Sequence, residues 1–232
     1  MKGFDTAADT TKHIDALWDD GYRVAFRYLT RSKRDWRQLK PAEAKALSDK
    51  GFWIGVYWQH IMTDQKYLAD MDRAKFNANE AIKRAKWLKI PKGSGIFYAI
   101  DFDVLAHSYG HLKNHFQIIK DIVEAAGYRL GCYGDDDVGS VLAGAGIVDP
   151  QMSIKTNARA WSRSDINANS WGAFQGLPFI FRPGFQIDPL TVTAQPRNMG
   201  LWNYHYKEEA PVPCAGLFGF LSRIFRSMSG GK

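Results

Sequence analysis

Gly95-Ile96-Phe97-Tyr98-Ala99-Ile100-Asp101-Phe102-Asp103 reads as a β-strand that ends on two carboxylates. Successive strand residues point to opposite faces, so the period of two sends Asp101 and Asp103 to the same side. Apolar residues on both faces precede them, the pattern of a strand buried on both sides in a parallel α/β sheet. Carboxylates just past such a run stand at the carboxyl end of the strand, where α/β folds keep their chemistry. Buried neighbouring carboxylates push their pKa values apart, so that one holds a proton while the other stays charged. Glycoside hydrolysis requires that arrangement. The same pair equally suits a helix cap or a partner for a lysine.

Outward from this strand, apolar runs alternate with helical patterns. Gly3–Ala7, Tyr22–Leu29, Phe52–Trp58 and Tyr128–Tyr133 read as further strands. Thr10–Asp20, Pro41–Lys50, Tyr67–Lys89 and His111–Ala126 read as the helices between them, and a short helix follows the Asp135–Asp137 cap. Glycines at 21, 51 and 127 stop three of these helices. After residue 150 the pattern changes. Ser153–Trp161, Trp171–Gln175 and Gly184–Asp188 look like strands, but the gaps between them are too short or too rich in Pro and Gly for full helices. Five βα units and three nearly helix-less strands make eight, enough to close a TIM-like α/β barrel. Residues 1–210 form that barrel in this reading, and Pro211-Val212-Pro213 opens a linker and tail over 211–232.

The chain has 232 residues, 45% of them hydrophobic, which is enough for one domain with a sizeable core. Its formal charge of +7 favours anionic partners such as a cell-wall polymer or lipid head groups. No nucleic-acid motif stands out. The two cysteines, Cys132 and Cys214, lack metal-ligand spacing, and a disulfide between them is not expected. No apolar run is long enough to span a membrane, and none at the start suits a signal peptide. The expectation is synthesis in the cytoplasm, action at the bacterial wall after release, and a monomer that needs no cofactor.

Several landmarks together resemble a known group, the glycoside-hydrolase-like DUF1906 family. They are Gly3-Phe4-Asp5-Thr6, the strand at 22–28, Tyr98-Ala99-Ile100-Asp101-Phe102-Asp103, Gly127-Tyr128-Arg129-Leu130-Gly131-Cys132-Tyr133-Gly134 and the closing Gln186-Ile187-Asp188. The resemblance covers roughly residues 3 to 190. That family is similar to the GH25 lysozymes, whose barrel also has five βα units and three bare strands. These enzymes cut the β-1,4 bond after N-acetylmuramic acid in peptidoglycan. Their site has an Asp on the first strand, an Asp-x-Glu on the fourth and an Asp near the last strand. The resemblance carries these onto Asp5, onto Asp101 and Asp103, and onto Asp188.

In that assignment Asp103 is the general acid, and Asp101 orients the 2-acetamido group or stabilises positive charge at the anomeric carbon. Asp5 and Asp188 line the pocket from the first and eighth strands. One departure stands out, because Asp103 occupies the place of the family's Glu. Asp is one methylene shorter, and a misplacement of about 1 Å can cost ~10²-fold in rate. Taken alone, Asp5 also suits a helix N-cap, for which Asp9 competes, and Asp188 a turn before Pro189.

Tyr57, Trp58, Tyr133 and Trp161 fall at predicted carboxyl ends of strands, where a sugar can stack; the bland alternative is core. The loop Thr30–Lys40 carries Arg31, Lys33, Arg34, Arg37 and Lys40 around Trp36, with Asp35 its only acid. Its readings are a contact for anionic wall polymer or a solvated rim. His107, His111 and His115 recur every four residues, which reads as a solvated helix face rather than a metal site, since no further ligand completes the set.

In the tail, Leu217, Phe218, Leu221, Ile224 and Phe225 share one face of a helical pattern, with Arg223 and Arg226 on the other. Such a cationic amphipathic helix either lies in an anionic membrane interface or docks on the barrel. The leading functional expectation is a muramidase-like peptidoglycan hydrolase of the phage-endolysin kind. The alternatives are a glycan-binding barrel that has lost its acid, and a membrane-active protein working through its tail.

Overall fold

A computed structural model describes residues 1–60, 64–156, 171–176, 180–182 and 185–206. Among the described residues the elements are, in chain order, β1 (Lys2–Asp5), α1 (Ile14–Asp19), β2 (Val24–Leu29), α2 (Pro41–Lys50), β3 (Trp53–Trp58), α3 (Lys66–Ala69), α4 (Met71–Trp87), β4 (Gly95–Ala99), α5 (Tyr109–Ala125), β5 (Arg129–Gly134), α6 (Asp136–Gly144), β6 (Ser153–Lys155), β7 (Ala173–Gln175), β8 (Ile180–Arg182) and β9 (Phe185–Val192). Strands β1 to β7 pair in order and in parallel, and β9 runs antiparallel between β7 and β1. Those eight strands close a TIM-like barrel. Strand β8 pairs with β9 alone, as a hairpin arm outside the ring.

Local chemistry sets the helix ends. Pro41 opens α2, where its missing N–H leaves no helix bond unmade, and Gly51 closes it at a φ of 101°. Asp70 caps α4 by accepting from the Arg73 amide, and Asp135 caps α6 by accepting from that of Val138.

Inside the barrel, large rings fill the space that glycines leave. A Cβ at Gly55 would lie 2.1 Å from the Phe26 ring, and one at Gly131 would lie 2.5 Å from Phe97. Phe26 and Phe97 meet edge to face at 5.2 Å, so the lower barrel is a packed core rather than a pore. The helix-facing side of the strands buries Ala25, Ile54, Val56, Ile96 and Tyr98. On that side Arg27 and Glu43 form a fully buried ion pair, which joins β2 to α2. The Arg27 guanidinium also donates to the Thr6 carbonyl, and Glu43 accepts from the Thr10 amide and hydroxyl.

Of the strand boundaries that differ from the expectation, two bear on the site. Strand β4 stops at Ala99, although Ile100 still donates its amide to the Tyr133 carbonyl. Asp101 and Asp103 therefore lie beyond the ladder, since β5 turns into the α6 cap and offers no further partner. Strand β9 runs past Pro189 to Val192. Pro189 is tolerated there because its carbonyl accepts from the Gly176 amide while its missing N–H is not needed. The outer part of the strand expected over Ser153–Trp161, the Pro211–Pro213 linker and Cys214 lie outside the described residues.

Candidate active site

The carboxyl ends of the parallel strands form one mouth. Asp5 closes β1 and Asp188 sits opposite it in register on antiparallel β9. Both side chains meet Gln175, the last residue of β7. The Gln175 Nε2 donates to Asp5 Oδ2 at 3.0 Å and to Asp188 Oδ2 at 3.2 Å. Its Oε1 accepts from the Tyr133 hydroxyl at 2.8 Å. Gln186 Nε2 donates to the other oxygen of Asp188 at 3.1 Å. Neither Asp5 nor Asp9 caps the helix that follows: Thr10 holds the capping position without a side-chain bond, and Asp9 accepts from the Thr11 amide and hydroxyl in a turn.

Asp5 is 2% exposed. Burial and then the Asp188 charge push its pKa well above the ordinary value, against the opposing pull of the Gln175 hydrogen bond and of Arg27. Burial also raises Asp188. Two close carboxylates in a desolvated site hold on to a proton at pH values where exposed ones have lost it.

Three tyrosines wall this pair. Tyr57 stacks on Phe26 at 4.9 Å and meets Tyr133 edge to face at 5.0 Å. Tyr28 lies 5.7 Å from Tyr57, ring to ring. Burial raises the pKa of all three phenols, and the charges of Asp5 and Asp188 raise them further. The Tyr57 hydroxyl is buried and has no hydrogen-bond partner among the described residues.

Asp101 stands at the rim, its Oδ2 accepting from Gln59 Nε2 at 3.2 Å. Its side chain is open to solvent, yet the walls of the mouth desolvate it enough to raise its pKa. Its charge bears on Tyr28 and Tyr133, which places it in the same field as Asp5 and Asp188. Asp103 is exposed one step further out, with its carbonyl accepting from Gln65 Nε2 at 2.6 Å. The neighbour on which its charge bears is Asp135, the cap of α6.

Of the aromatic residues, Tyr57 and Tyr133 face this mouth. Trp58 is fully buried and follows Tyr57 by one residue, so strand alternation turns it to the helix-facing side, 6.1 Å from the His60 ring. Trp161 lies outside the described residues, as do Leu217, Phe218, Leu221, Arg223, Ile224, Phe225 and Arg226 of the tail. Residues missed in the sequence are Gln175, Tyr28 and Gln59. Tyr28 was accessible to the same argument as Tyr57, since the two are register partners. A strand glutamine carries no comparable signal.

No group of metal-ligating side chains occurs among the described residues. Of the spaced histidines, His111 is exposed while His115 is buried, a correction to the expected solvated face. Burial lowers the His115 pKa to about 4, so it is neutral in the folded chain. A cavity of about 150 Å³ between residues 91–94 and Arg197–Tyr206 opens near the amino end of β4, away from the carboxylates.

Comparison with known proteins gives one family and a consistent fold. The model of the Rv2525c-like, glycoside hydrolase-like domain matches residues 15–196. The chain is 24% identical over 142 residues to the Bacillus subtilis protein YbfG, itself uncharacterized. That match covers 56% of the chain and 19% of YbfG, so the chain spans about a fifth of this relative. The crystal structure of the Tat-secreted Mycobacterium tuberculosis protein Rv2525c superposes with a TM-score of 0.72 at 17% identity, over 87% of this chain and 98% of that one. A family 25 glycosyl hydrolase from Bacillus anthracis superposes with a TM-score of 0.57 at 11% identity, over 86% and 93% of the two chains.

Proposed function

Since the chain belongs to the Rv2525c-like, glycoside hydrolase-like domain family, we propose that it is a muramidase-like glycosidase acting on the glycan strands of peptidoglycan. The observation that carries this reading is the joining of Asp5 and Asp188 by Gln175 in a tyrosine-walled mouth with Asp101 at its rim. The fold shared with a family 25 glycosyl hydrolase supports the reaction class, and the charge of +7 suits an anionic wall.

In this reading Tyr28 and Tyr133 line the sugar site above the buried Tyr57, and a proton donor at the rim serves the leaving glycosidic oxygen. The Asp5–Asp188 pair, steadied by Gln175, sets the field beneath the anomeric carbon. The resemblance gives the donor role to Asp103. We assign it instead to Asp101, which accepts from Gln59 at the rim; its charge bears on Tyr28 and Tyr133, and desolvation raises its pKa. Asp103 then flanks the leaving-group side.

A second reading, a barrel that binds glycan without cutting it, is favoured by one observation. Asp103 stands where the GH25 lysozymes of the resemblance carry a Glu, and its charge bears on Asp135, the cap of α6. Digestion of purified peptidoglycan, followed by identification of the sugar at each new reducing end, tests the proposal. New ends at muramic acid support cleavage. Sedimentation with the wall without released fragments supports the binding barrel. In either reading the site of action is the bacterial wall, while the tail's membrane role, the monomeric state and the endolysin setting stay with the proposal.

A further inference from the structure

The acidic mouth has a basic neighbour. The loop that leaves β2 returns beside it, with Gln38 bridging to Tyr28 and the Leu39 amide donating to the Tyr28 carbonyl. Residues 30–40 carry five basic side chains against Asp35, a net charge of 5 − 1 = +4. At its tip Trp36 is 68% exposed, the most exposed large hydrophobic side chain among those described.

This loop is held, not free. Arg84 donates from its guanidinium to the Thr30 and Arg31 carbonyls, Lys40 donates to the Lys33 and Asp35 carbonyls, and Gln38 accepts from the Thr30 amide at 2.7 Å. The loop sets Arg31 over the Phe76 ring at 5.4 Å, and His60, just past the end of β3, stands against the same ring at 5.9 Å. The charges of Arg73, Arg31 and Arg37 bear on His60, which is held below its ordinary pKa chiefly by burial. Three carboxylates answer them: Asp35 on Arg37, Asp70 at 3.9 Å from Arg73, and Glu80, whose charge also bears on His60. Arg31 has no ion-pair partner among the described residues, Glu80 is itself paired with Lys83, and the loop over residues 30–40 keeps its net charge of +4.

We propose that Arg31, Arg37 and Arg73, grouped about Phe76 and His60 with Trp36 at the rim, form a subsite for a sugar ring bearing a carboxylate. An exposed indole offers a flat apolar face to a pyranose, and guanidinium groups bind carboxylates with directed, charge-assisted hydrogen bonds. The subsite adjoins the mouth through Tyr28, so one glycan strand spans both. It rests on the glycosidase reading and deepens it: alternate sugars of the proposed substrate carry a lactyl carboxylate, and this side of the mouth selects that sugar.

The test is the affinity of the full chain for two tetrasaccharides, measured by calorimetry in the cold to hold turnover down. One alternates N-acetylglucosamine with N-acetylmuramic acid, and the other contains N-acetylglucosamine alone. Wild type is expected to prefer the acidic ligand by about tenfold. The R31Q/R73Q double variant is expected to lose that preference while keeping its affinity for the neutral ligand, and W36A to weaken both. Circular dichroism confirms that each variant is folded. Equal binding of the two ligands by wild type, or a preference unchanged in R31Q/R73Q, overturns this inference and leaves the glycosidase reading standing. Binding of neither ligand overturns both. Displacement of the acidic ligand by polyglycerol phosphate at lower concentration overturns the assignment to a sugar carboxylate.

Discussion

Asp5 and Asp188 face each other in register across the antiparallel seam between β1 and β9, and a single amide nitrogen, that of Gln175, donates to both. This seam is where the barrel closes, so the same contact joins its first and last strands and assembles the candidate site. Replacing Gln175 with Leu removes a donor from two carboxylates and an acceptor from Tyr133. Leaving such groups unsatisfied costs about 1–3 kcal/mol, to be read as a lower urea midpoint with an unchanged slope. Peptidoglycan cleavage is expected to fall with it.

Asp5 links stability to pH in the direction opposite to an ion-paired carboxylate. Folding raises its pKa above the ordinary 3.8. Between those two values the unfolded chain is ionised while the folded chain keeps the proton, so stability falls as pH rises through the window and stays lower above it. Asp5→Asn cannot ionise and removes that loss. At neutral pH its melting temperature is expected to rise, by about 2–4 °C for each kcal/mol recovered. The gain is expected to vanish in acid below the ordinary carboxylate pKa. Thermal scans at the two pH values check it, with loss of activity marking the trade.

The Arg27–Glu43 pair makes a different claim. Both side chains are wholly buried, and Glu43 also holds Thr10. Glu43→Ala strands a guanidinium in the helix layer and is expected to cost about 3–5 kcal/mol, whereas R27M/E43L, which removes both charges, recovers most of it. Chemical denaturation of the two variants distinguishes these outcomes.

Glycine packing predicts a contrast between two alanine substitutions. Gly55→Ala drives a methyl to 2.1 Å from Phe26 in the barrel core, and overpacking of that kind costs about 1–3 kcal/mol or more. Gly144 ends α6 with nothing within 4 Å of its Cβ position. Gly144→Ala is expected to stabilise the chain by up to about 0.5–1 kcal/mol. Melting temperatures of the two variants are expected to move in opposite directions.

The barrel was legible in the sequence because its signals are local. Alternating runs mark the strands, and Pro41, Gly51 and Asp135 mark helix ends at the positions where they act. Strand alternation also separates two neighbouring aromatic residues. Tyr57 and Trp58 are adjacent, so one faces the mouth and the other faces the helices; the burial of Trp58 follows from period two alone. The end of β4 was less accessible, because it depends on where β5 stops offering partners. Gln175 was hidden for another reason. Its role arises when β7 and β1 are brought to either side of β9, a relationship that no window of sequence contains.

The rate at which new reducing ends form on purified peptidoglycan, compared among wild type, Asp101→Asn and Asp103→Asn, tests the central claim most directly. Loss of one positioned general acid removes about 10²–10⁴-fold. The account predicts cleavage by wild type and a loss of that size in Asp101→Asn, with a smaller loss in Asp103→Asn. Reducing ends that form at the wild-type rate in Asp101→Asn, or in none of the three proteins while all still sediment with the wall, would contradict it.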